Sequence, residues 1–477
     1  MVEASGETPT VQVPFGSWYD EARLRLDFPP GWRVEVCPPQ GAPEISDSEI
    51  ESALASPHGA AGLRELCRGR ERAVVAVDDL TRPTPAHRIL PPLLRQLEAA
   101  GLGPERVKIL VGTASHRPPS ASELERKIGA EVIARYEVLI HDFFDPSIRR
   151  VGWIAGGPVD LNAHYLDADL RICVGGVIPH NETGFGGGAK MLVPGLAGHA
   201  TIAHFHGALP PRRAGQIEAA AGLDRRSWSE RVAREVGLDW VVCAVVNAER
   251  QLAGLFAGDP VEAWRAAAKQ AGAVGRTRLS AEQARADVVV VDAYPLDTDP
   301  IQSGKSMNLA GKLNPRCTVL VSAASDGIFY HGMGMGSGFE PRRLLRGLPG
   351  VLASPRRLST FARSLLRGFP RPELVARLAY FTLSARPYPA FAAAEGRWPG
   401  ARGLREPPPN ADPLLFSRDF PAWGFRQKFP HGGLYREWDA LRADLAVRFP
   451  DAHALVFPCA PIQLIEVDSG LDGGASA

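Results

Sequence analysis

The sequence predicts an α/β protein of two domains, each with a parallel or mixed sheet covered by helices, and a site in the cleft between them. The chain of 477 residues is longer than one hydrophobic core normally serves, at about 100 to 200 residues per domain. Hydrophobic residues make up 45% of it, which is enough for two full cores. Short apolar runs alternate with helical stretches, as in parallel sheets. We place the domains at 1–275 and 276–477, the second being the smaller.

The first domain is predicted from β-branched apolar runs that alternate with helical segments. Each run is short and bounded by turn residues, which is typical of strands buried on both faces. The predicted strands lie near 72–78, 107–112, 137–142 and 169–176, and the helices near 85–100 and 120–135.

The second domain is predicted from a strand near 286–292, a helix over Met307 and Leu313, and a strand at 317–322. Arg, Pro and Ala dominate residues 341–413, which predicts an irregular connection there. A helical pattern around 365–383 is expected to cap the cleft.

Composition narrows the class of protein. The formal net charge of +1 gives no overall attraction to nucleic acid or to an anionic membrane. The amino terminus lacks the features of a signal peptide, and no apolar run is long enough to cross a bilayer, so we expect a cytoplasmic protein. Scattered cysteines predict buried thiols in a reducing compartment. They are Cys37, Cys67, Cys173, Cys243, Cys317 and Cys459.

The stretch 178–195 combines His180, a cluster of four glycines and Lys190. Glycines let the backbone approach a ligand and direct N–H groups at an anion, so we predict a phosphorylated, covalently held cofactor. A P-loop is disfavoured because Ala189 and Met191 replace the glycine before its lysine and the hydroxyl residue after it. A glycine-rich surface loop without a ligand is the other alternative.

Polar residues also follow two predicted strands. Ligands bind at the carboxyl ends of strands in open α/β sheets, so Asp79 is expected to take sugar hydroxyls and Arg82 an anion. The alternative is that the Asp and Thr here only cap a helix. His116 follows the next strand, and a lone histidine there is more often structural. His116 and His180 would nevertheless meet at one edge, which indicates proton transfer on two faces of a substrate.

Together these stretches resemble the nickel-pincer-dependent lactate racemase family, from about Pro14 to Gln463. The resemblance is carried by Asp-Asp-Leu-Thr-Arg-Pro at 78–83, Gly-Thr-Ala-Ser-His-Arg-Pro at 112–118, the glycine-rich block at 179–195, His206, and Gln302 with Lys305.

The resemblance implies a role for each matching side chain. Lys190 is expected to carry, through a thioamide, the nickel-pincer nucleotide Ni(II)-pyridinium-3,5-bisthiocarboxylic acid mononucleotide, and His206 to complete the square plane of the nickel. The other implied roles are cofactor binding by Asp79, Leu80, Thr81 and Arg82, acid/base catalysis by His116 and His180, and substrate binding by Gln302, Lys305 and Arg82. Since residues two apart on a helix diverge, His204 is expected to be structural.

The implied reaction is the racemisation or epimerisation of a 2-hydroxy acid by proton-coupled hydride transfer through a 2-keto acid. Ile301 stands where we expect an aromatic residue in a lactate enzyme, so the predicted substrate class is 2-hydroxy acids in general. Enzymes that build and load the pincer are expected partners.

Two alternatives belong to other classes. A nicotinamide-type oxidoreductase is disfavoured because no Gly-x-Gly-x-x-Gly follows a first strand. A non-catalytic nickel or nucleotide carrier would keep Lys190 and His206 but would not need the two histidines with Gln302 and Lys305.

Overall fold

The computed structural model confirms the predicted fold class, with two six-stranded sheets covered by helices. It describes residues 8–116, 118–143, 145, 147–219, 222–325, 413–420, 422, 425, 429 and 431–468. The cap expected around 365–383 lies outside the described residues.

The helices and strands of the described residues are numbered in chain order. The helices are α1 (Asp47–Ala55), α2 (Leu63–Leu66), α3 (Ala86–Ala99), α4 (Ala121–Ile128), α5 (Ala130–Arg135), α6 (Ala163–Leu166), α7 (His199–Gly207), α8 (Arg225–Val236), α9 (Glu262–Val274), α10 (Pro300–Ser303), α11 (Met307–Leu313) and α12 (Trp438–Arg448). The strands are β1 (Thr10–Phe15), β2 (Ala22–Asp27), β3 (Arg33–Val36), β4 (Ala73–Asp78), β5 (Val107–Gly112), β6 (Glu137–Ile140), β7 (Ile148–Ile154), β8 (Gly157–Asn162), β9 (Leu170–Gly176), β10 (Pro179–His180), β11 (Gly184–Phe185), β12 (Trp240–Val246), β13 (Leu252–Gly258), β14 (Arg276–Leu279), β15 (Val288–Asp292), β16 (Cys317–Val321), β17 (Pro413–Phe416), β18 (Gly433–Tyr435), β19 (His453–Phe457) and β20 (Leu464–Val467).

The first sheet has the strand order β13-β12-β9-β4-β5-β6, with every pair parallel except β12 and β13. Its central strand β4 is buried along its whole length. Val74 and Ala76 pack into the core on one face, and Val75 and Val77 pack into the core on the other. This double burial explains why the strand reads as an unbroken apolar run.

The second sheet is parallel throughout, in the order β18-β17-β16-β15-β19-β3. The first strands of the chain, on the amino-terminal side of the predicted division at residue 275, lie with this second sheet. Strand β3 is an edge of the second sheet, and Val13 and Leu26 of the β1–β2 hairpin pack with Val290 in its core. These pairings join residues more than 250 positions apart, which no local pattern in the sequence records.

Loops after four strands carry the predicted site residues. Asp78 ends β4, Gly112 ends β5, Gly176 ends β9 and Asp292 ends β15. The carboxyl ends of parallel strands lie at the same edge of a sheet, so the loops that follow β4, β5 and β9 lie together at one edge of the first sheet. Among the described residues, none of the helices is both long enough and apolar enough to span a membrane.

Candidate active site

The loop after β4 is held by buried charges. Asp78 accepts hydrogen bonds from Thr84 Oγ1 at 2.6 Å and from the Gly176 amide at 2.8 Å, and it pairs with Lys127 Nζ at 2.7 Å. Lys127, which is fully buried on α4, also donates to the carbonyls of Arg82 and Thr84, each at 3.0 Å. Asp78 and Lys127 therefore fix the backbone of residues 79–84, where Leu80 is buried.

Asp79 connects this loop to His116. Its Oδ2 lies 2.7 Å from His116 Nδ1, and its Oδ1 accepts from the backbone amide and hydroxyl of Thr81 at 3.1 and 2.6 Å. The nearby His116 imidazole holds the pKa of the buried Asp79 carboxyl well below its usual range, against the opposing effect of burial. The Asp79 carboxylate thus orients the ring and places a proton on Nδ1.

Arg82 bridges the two domains. Its Nη1 donates to Thr81 Oγ1 at 2.9 Å and to Oε1 of Gln302 at 3.2 Å. Gln302 is buried on α10, whose start is capped by Asp299 through the amides of Ile301 and Gln302 at 2.6 and 2.8 Å. The cation of the loop after β4 and the amide on α10 therefore meet.

His180 lies in a cationic surrounding. Burial lowers the pKa of its imidazole well below the usual value, and the charges of Lys190, Lys305, Arg82 and His206 lower it further. Nδ1 of His180 accepts the backbone N–H of Glu182 at 3.2 Å, which assigns the ring proton to Nε2. His180 is therefore neutral at pH 7, beside the guanidinium of Arg82 and two buried lysines.

Lys190 is a desolvated amine. Burial lowers its pKa to about 7, with Arg82 lowering it and Glu182 opposing the shift. Lys305, on the facing domain, has its pKa lowered well below the usual value by burial, then by Arg82 and Lys190. With a pKa of about 7, Lys190 is largely uncharged just above neutrality, and the uncharged amine is the form that acts as a nucleophile.

The glycines before Lys190 serve packing within the protein. Gly187 and Gly188 have φ of +69° and +58°, and a Cβ on either would meet a neighbouring side chain 2.7 Å away, on Val177 and Arg226 respectively. Arg226 Nη1 also donates to the Gly187 carbonyl at 2.8 Å. The close approach that the sequence suggested for a ligand is thus made by α8 and the loop after β9, and it positions Lys190.

His206 and His204 lie on α7 and face different neighbours. Nδ1 of His206 is 3.1 Å from Glu182 Oε2, and Glu182 also pairs with Arg225 Nη1 at 2.8 Å. His204 packs its ring 5.1 Å from that of Trp228. This divergence follows from helical geometry and agrees with the expected structural role of His204.

These residues fit the implied cofactor. Acylation of Lys190 would remove a buried positive charge that burial disfavours, and Nδ1 of His206, facing a carboxylate, leaves Nε2 to a metal, as metal-binding histidines usually do. Among the residues that the structure describes, no three His, Cys, Asp or Glu side chains cluster as a metal site.

Three charged residues that hold the site together are not predicted from the sequence: Lys127, Glu182 and Arg225. Lys127 could have been recognised, because it occupies a position on α4 where the helical spacing predicts a buried apolar residue. Arg225 gave no local signal, because it reaches α7 through the carbonyls of Phe205 and His206 at 2.9 and 2.5 Å.

Comparison with known proteins identifies the family. Residues 19–216 match the protein family described as "Lactate racemase N-terminal domain". The lactate racemase of Lactiplantibacillus plantarum is 32% identical over 307 residues, 61% of this chain and 70% of that protein. The lactate racemase of Thermoanaerobacterium thermosaccharolyticum is 26% identical over 342 residues, 69% of this chain and 76% of that protein.

Two solved structures share the fold. The lactate racemase apoprotein from Thermoanaerobacterium thermosaccharolyticum has a TM-score of 0.65 at 20% identity and covers 96% of this chain and 100% of its own. A Thermotoga maritima protein has a TM-score of 0.55 at 16% identity, over 89% and 99% of the two chains. With the sequence match to the Lactiplantibacillus enzyme extending over more than two thirds of that protein, this chain belongs to the lactate racemase family of isomerases.

Proposed function

We propose that this protein interconverts the two configurations at C2 of a 2-hydroxy acid, using a nickel-pincer nucleotide held by Lys190 and His206. The observation that carries the proposal is that Arg82 links two imidazoles. Its Nη1 contacts Thr81, which lies beside the Asp79-oriented ring of His116, and its charge acts on the buried ring of His180. A binding module or a nickel carrier would have no use for that pair.

The chain's own residues would bind and orient the substrate. Arg82 would supply positive charge for the carboxylate, and Gln302 adds an amide whose position is fixed by Arg82. Charge-assisted contacts of this kind fix the orientation of a carboxylate better than neutral contacts do. Lys305, whose pKa is lowered by burial and by Arg82 and Lys190, would gain a proton more easily once the negative carboxylate lies beside it.

The histidines would move the hydroxyl proton. His116 would accept it, and the Asp79 carboxylate beside Nδ1 would stabilise the resulting imidazolium. When bound, the pincer nucleotide supplies the acceptor and donor of the hydride at the substrate carbon. In the opposite direction His180 takes the corresponding role, so each enantiomer would use the two imidazoles in the reverse order.

We further propose that the protein works in the cytoplasm and receives its cofactor from separate pincer-building enzymes. The lowered pKa of Lys190 supports covalent loading. In protein produced together with the pincer-building enzymes, Lys190→Ala should abolish the mass increase due to the bound nucleotide. His206→Ala should lose nickel while keeping the fold. Retention of the full adduct or of stoichiometric nickel in these variants would contradict the assignments.

The reaction itself is tested with loaded wild-type protein, a panel of single-enantiomer 2-hydroxy acids and chiral chromatography, without added nicotinamide. Protein produced without the pincer enzymes is the control. Substrate deuterated at C2 should react more slowly and keep most of its label. Rapid washout of deuterium into water would show deprotonation at carbon and would exclude the hydride mechanism.

A further inference from the structure

The turn between β1 and β2, residues 16–21, contacts elements that carry both halves of the candidate site. The turn is built on the hairpin that packs on the second sheet. Nothing in the reaction proposed above uses it, yet its residues make hydrogen bonds and cation–π contacts with both sides of the site.

On the substrate side, the turn is held by Asp297. This fully buried carboxylate accepts hydrogen bonds from the backbone amides of Gly16 and Ser17 at 2.7 and 3.1 Å, and from the Ser17 hydroxyl. Thr298 Oγ1 donates to the Ser17 carbonyl at 2.9 Å. Asp299, which caps the helix carrying Gln302, comes next in the chain. A shift of the turn would therefore move the start of that helix.

On the cofactor side, the turn is held by Trp18. Nζ of Lys127 lies 5.1 Å from the centroid of the Trp18 ring, and the guanidinium carbon of Arg250 lies 3.9 Å from it. Both distances are those of cation–π contacts. Arg126 Nη1 also donates to the Trp18 carbonyl at 2.9 Å. The Lys127 that touches the ring is the one that holds the Arg82 carbonyl.

The conformation of Trp18 shows that these contacts are needed. Its φ is +68°, in the left-handed region that a bulky side chain rarely adopts. Such a backbone persists where the surroundings over-determine it, and it is found most often near functional sites.

The contacts form a closed circuit. It runs from Arg82 across the cleft to Gln302, along the chain to Asp297, into the turn, through Trp18 to Lys127, and back to Arg82. We propose that the turn 16–21 is a clasp that sets the distance between Arg82 and Gln302, with Trp18 as a positioning residue for the substrate carboxylate. The proposal rests on the proposed function only for the role of Arg82 and Gln302 in binding substrate.

The first test compares Trp18→Leu with Trp18→Phe, and uses Trp153→Leu on β7 as the control because that tryptophan is 70% exposed. Trp18→Leu should raise KM for the 2-hydroxy acid about 10-fold or more and change kcat less than about 3-fold. The substitution should displace the side chains that bind the substrate carboxylate, while the groups that react with the substrate stay in place. Trp18→Phe keeps an aromatic face and should restore most of the affinity. The control should match wild type.

The second test does not depend on activity. Amide hydrogen exchange of the cofactor-free protein should increase in Trp18→Leu at residues 79–84 and also at 297–303. Exchange that increases only within 16–21, together with an unchanged KM, would overturn the clasp. If wild-type protein racemises no 2-hydroxy acid but exchange increases in both loops, the proposed function fails and the clasp stands.

Asp297→Asn tests the same circuit from its other end and serves if Trp18→Leu does not fold. It should raise KM in the same way. Where Trp18→Leu folds, the double variant Trp18→Leu/Asp297→Asn should lower kcat/KM by less than the product of the single effects, because both changes loosen one link. Independent, multiplicative effects would show that the two residues act separately and would overturn the proposal.

Discussion

The surroundings of the two candidate catalytic histidines differ in the sign of their nearest charge. His116 has a carboxylate, Asp79, on Nδ1, whereas His180 has a backbone N–H on Nδ1 and the basic side chains of Lys190, Lys305 and Arg82 around it. The imidazolium of His116 is stabilised where it forms. That of His180 forms only if Nδ1 releases the Glu182 amide, because an imidazolium has no lone pair left to accept a hydrogen bond.

The difference shows that two side chains with matching sequence signals are prepared for unequal tasks. His116 is arranged to receive a proton, while His180 rests neutral in a site that burial and cations keep free of further positive charge. A substrate carboxylate entering among those cations would reduce the charge imbalance and make protonation of His180 easier. Substrate binding and the acid/base state of His180 are therefore coupled.

The largest expected effect comes from removing either histidine. His116→Ala and His180→Ala should each lower turnover of the loaded enzyme by about 10² to 10⁴, the usual contribution of a positioned acid or base. Turnover is followed by chiral chromatography, with adduct mass and nickel content as checks on loading. Near-normal turnover in one variant would mean that a single imidazole serves both faces of the substrate. The proposed division of tasks between His116 and His180 would then be wrong.

Removing only the charge beside His116 should cost less. Asp79→Asn keeps the shape but weakens stabilisation of the imidazolium, so turnover should fall by about 10², the lower end of that range. The control is Asp167→Asn, at an exposed ion pair with Arg149. A fall in adduct mass without a fall in turnover per loaded molecule would instead give Asp79 a role in cofactor binding alone.

Glu182→Gln distinguishes the role of the Glu182 carboxylate from that of its backbone amide. The amide would still contact His180 in the variant. Loss of the carboxylate facing His206 should weaken nickel retention by about 10- to 100-fold, as for other residues that orient metal-binding histidines. Nickel per chain after dialysis against a chelator is the measurement, and Glu235→Gln, at an exposed ion pair, is the matched control. Unchanged retention would show that Glu182 does not orient the ligand.

The neutral state of His180 predicts a pH dependence of stability. The unfolded chain binds a proton on this residue below about pH 6.5, whereas the folded protein does not, so stability falls as the pH drops below that value. His180→Gln should remove this contribution, which is at most about 1.4 kcal/mol per pH unit. Urea unfolding of cofactor-free protein at pH 7.5, 6 and 5 measures it, with His164→Gln as control. Parallel curves for His180→Gln and wild type would contradict the assignment.

The smallest effect concerns the charge of Lys190 itself. Its amine is protonated below its pKa of about 7, so in that range it opposes protonation of His180. Lys190→Met in cofactor-free protein should therefore raise the pKa of His180. An NMR titration of the histidine rings, with the signal assigned from His180→Gln, detects the shift. No movement would place the amine too far away to act on the imidazole.

Much of the fold follows from local patterns. The strands observed at Ala73–Asp78, Val107–Gly112 and Leu170–Gly176 differ from their predicted bounds by at most a residue, because strands buried on both faces give continuous apolar runs. The place of the first strands in the second sheet was not predictable, since their partners lie hundreds of residues away.

The candidate site shows the same division. That Asp79, Arg82, His116 and His180 lie after strands follows from the sequence, and the common edge of a parallel sheet explains why Asp79 reaches His116. The bridge from Arg82 to Gln302 requires the two domains to meet, which periodicity within either domain does not describe.

Local patterns are enough to predict the fold class and the ends of the central strands, because periodicity and glycine or proline placement act over a few residues. Three features exist only in the folded chain: the contact of Asp79 with His116, the packing of the glycines against Arg226 and Val177, and the contacts of the turn 16–21 with both halves of the site. Hydrogen bonds, burial and charge act over a few ångströms in space, and folding brings distant parts of the chain within that range.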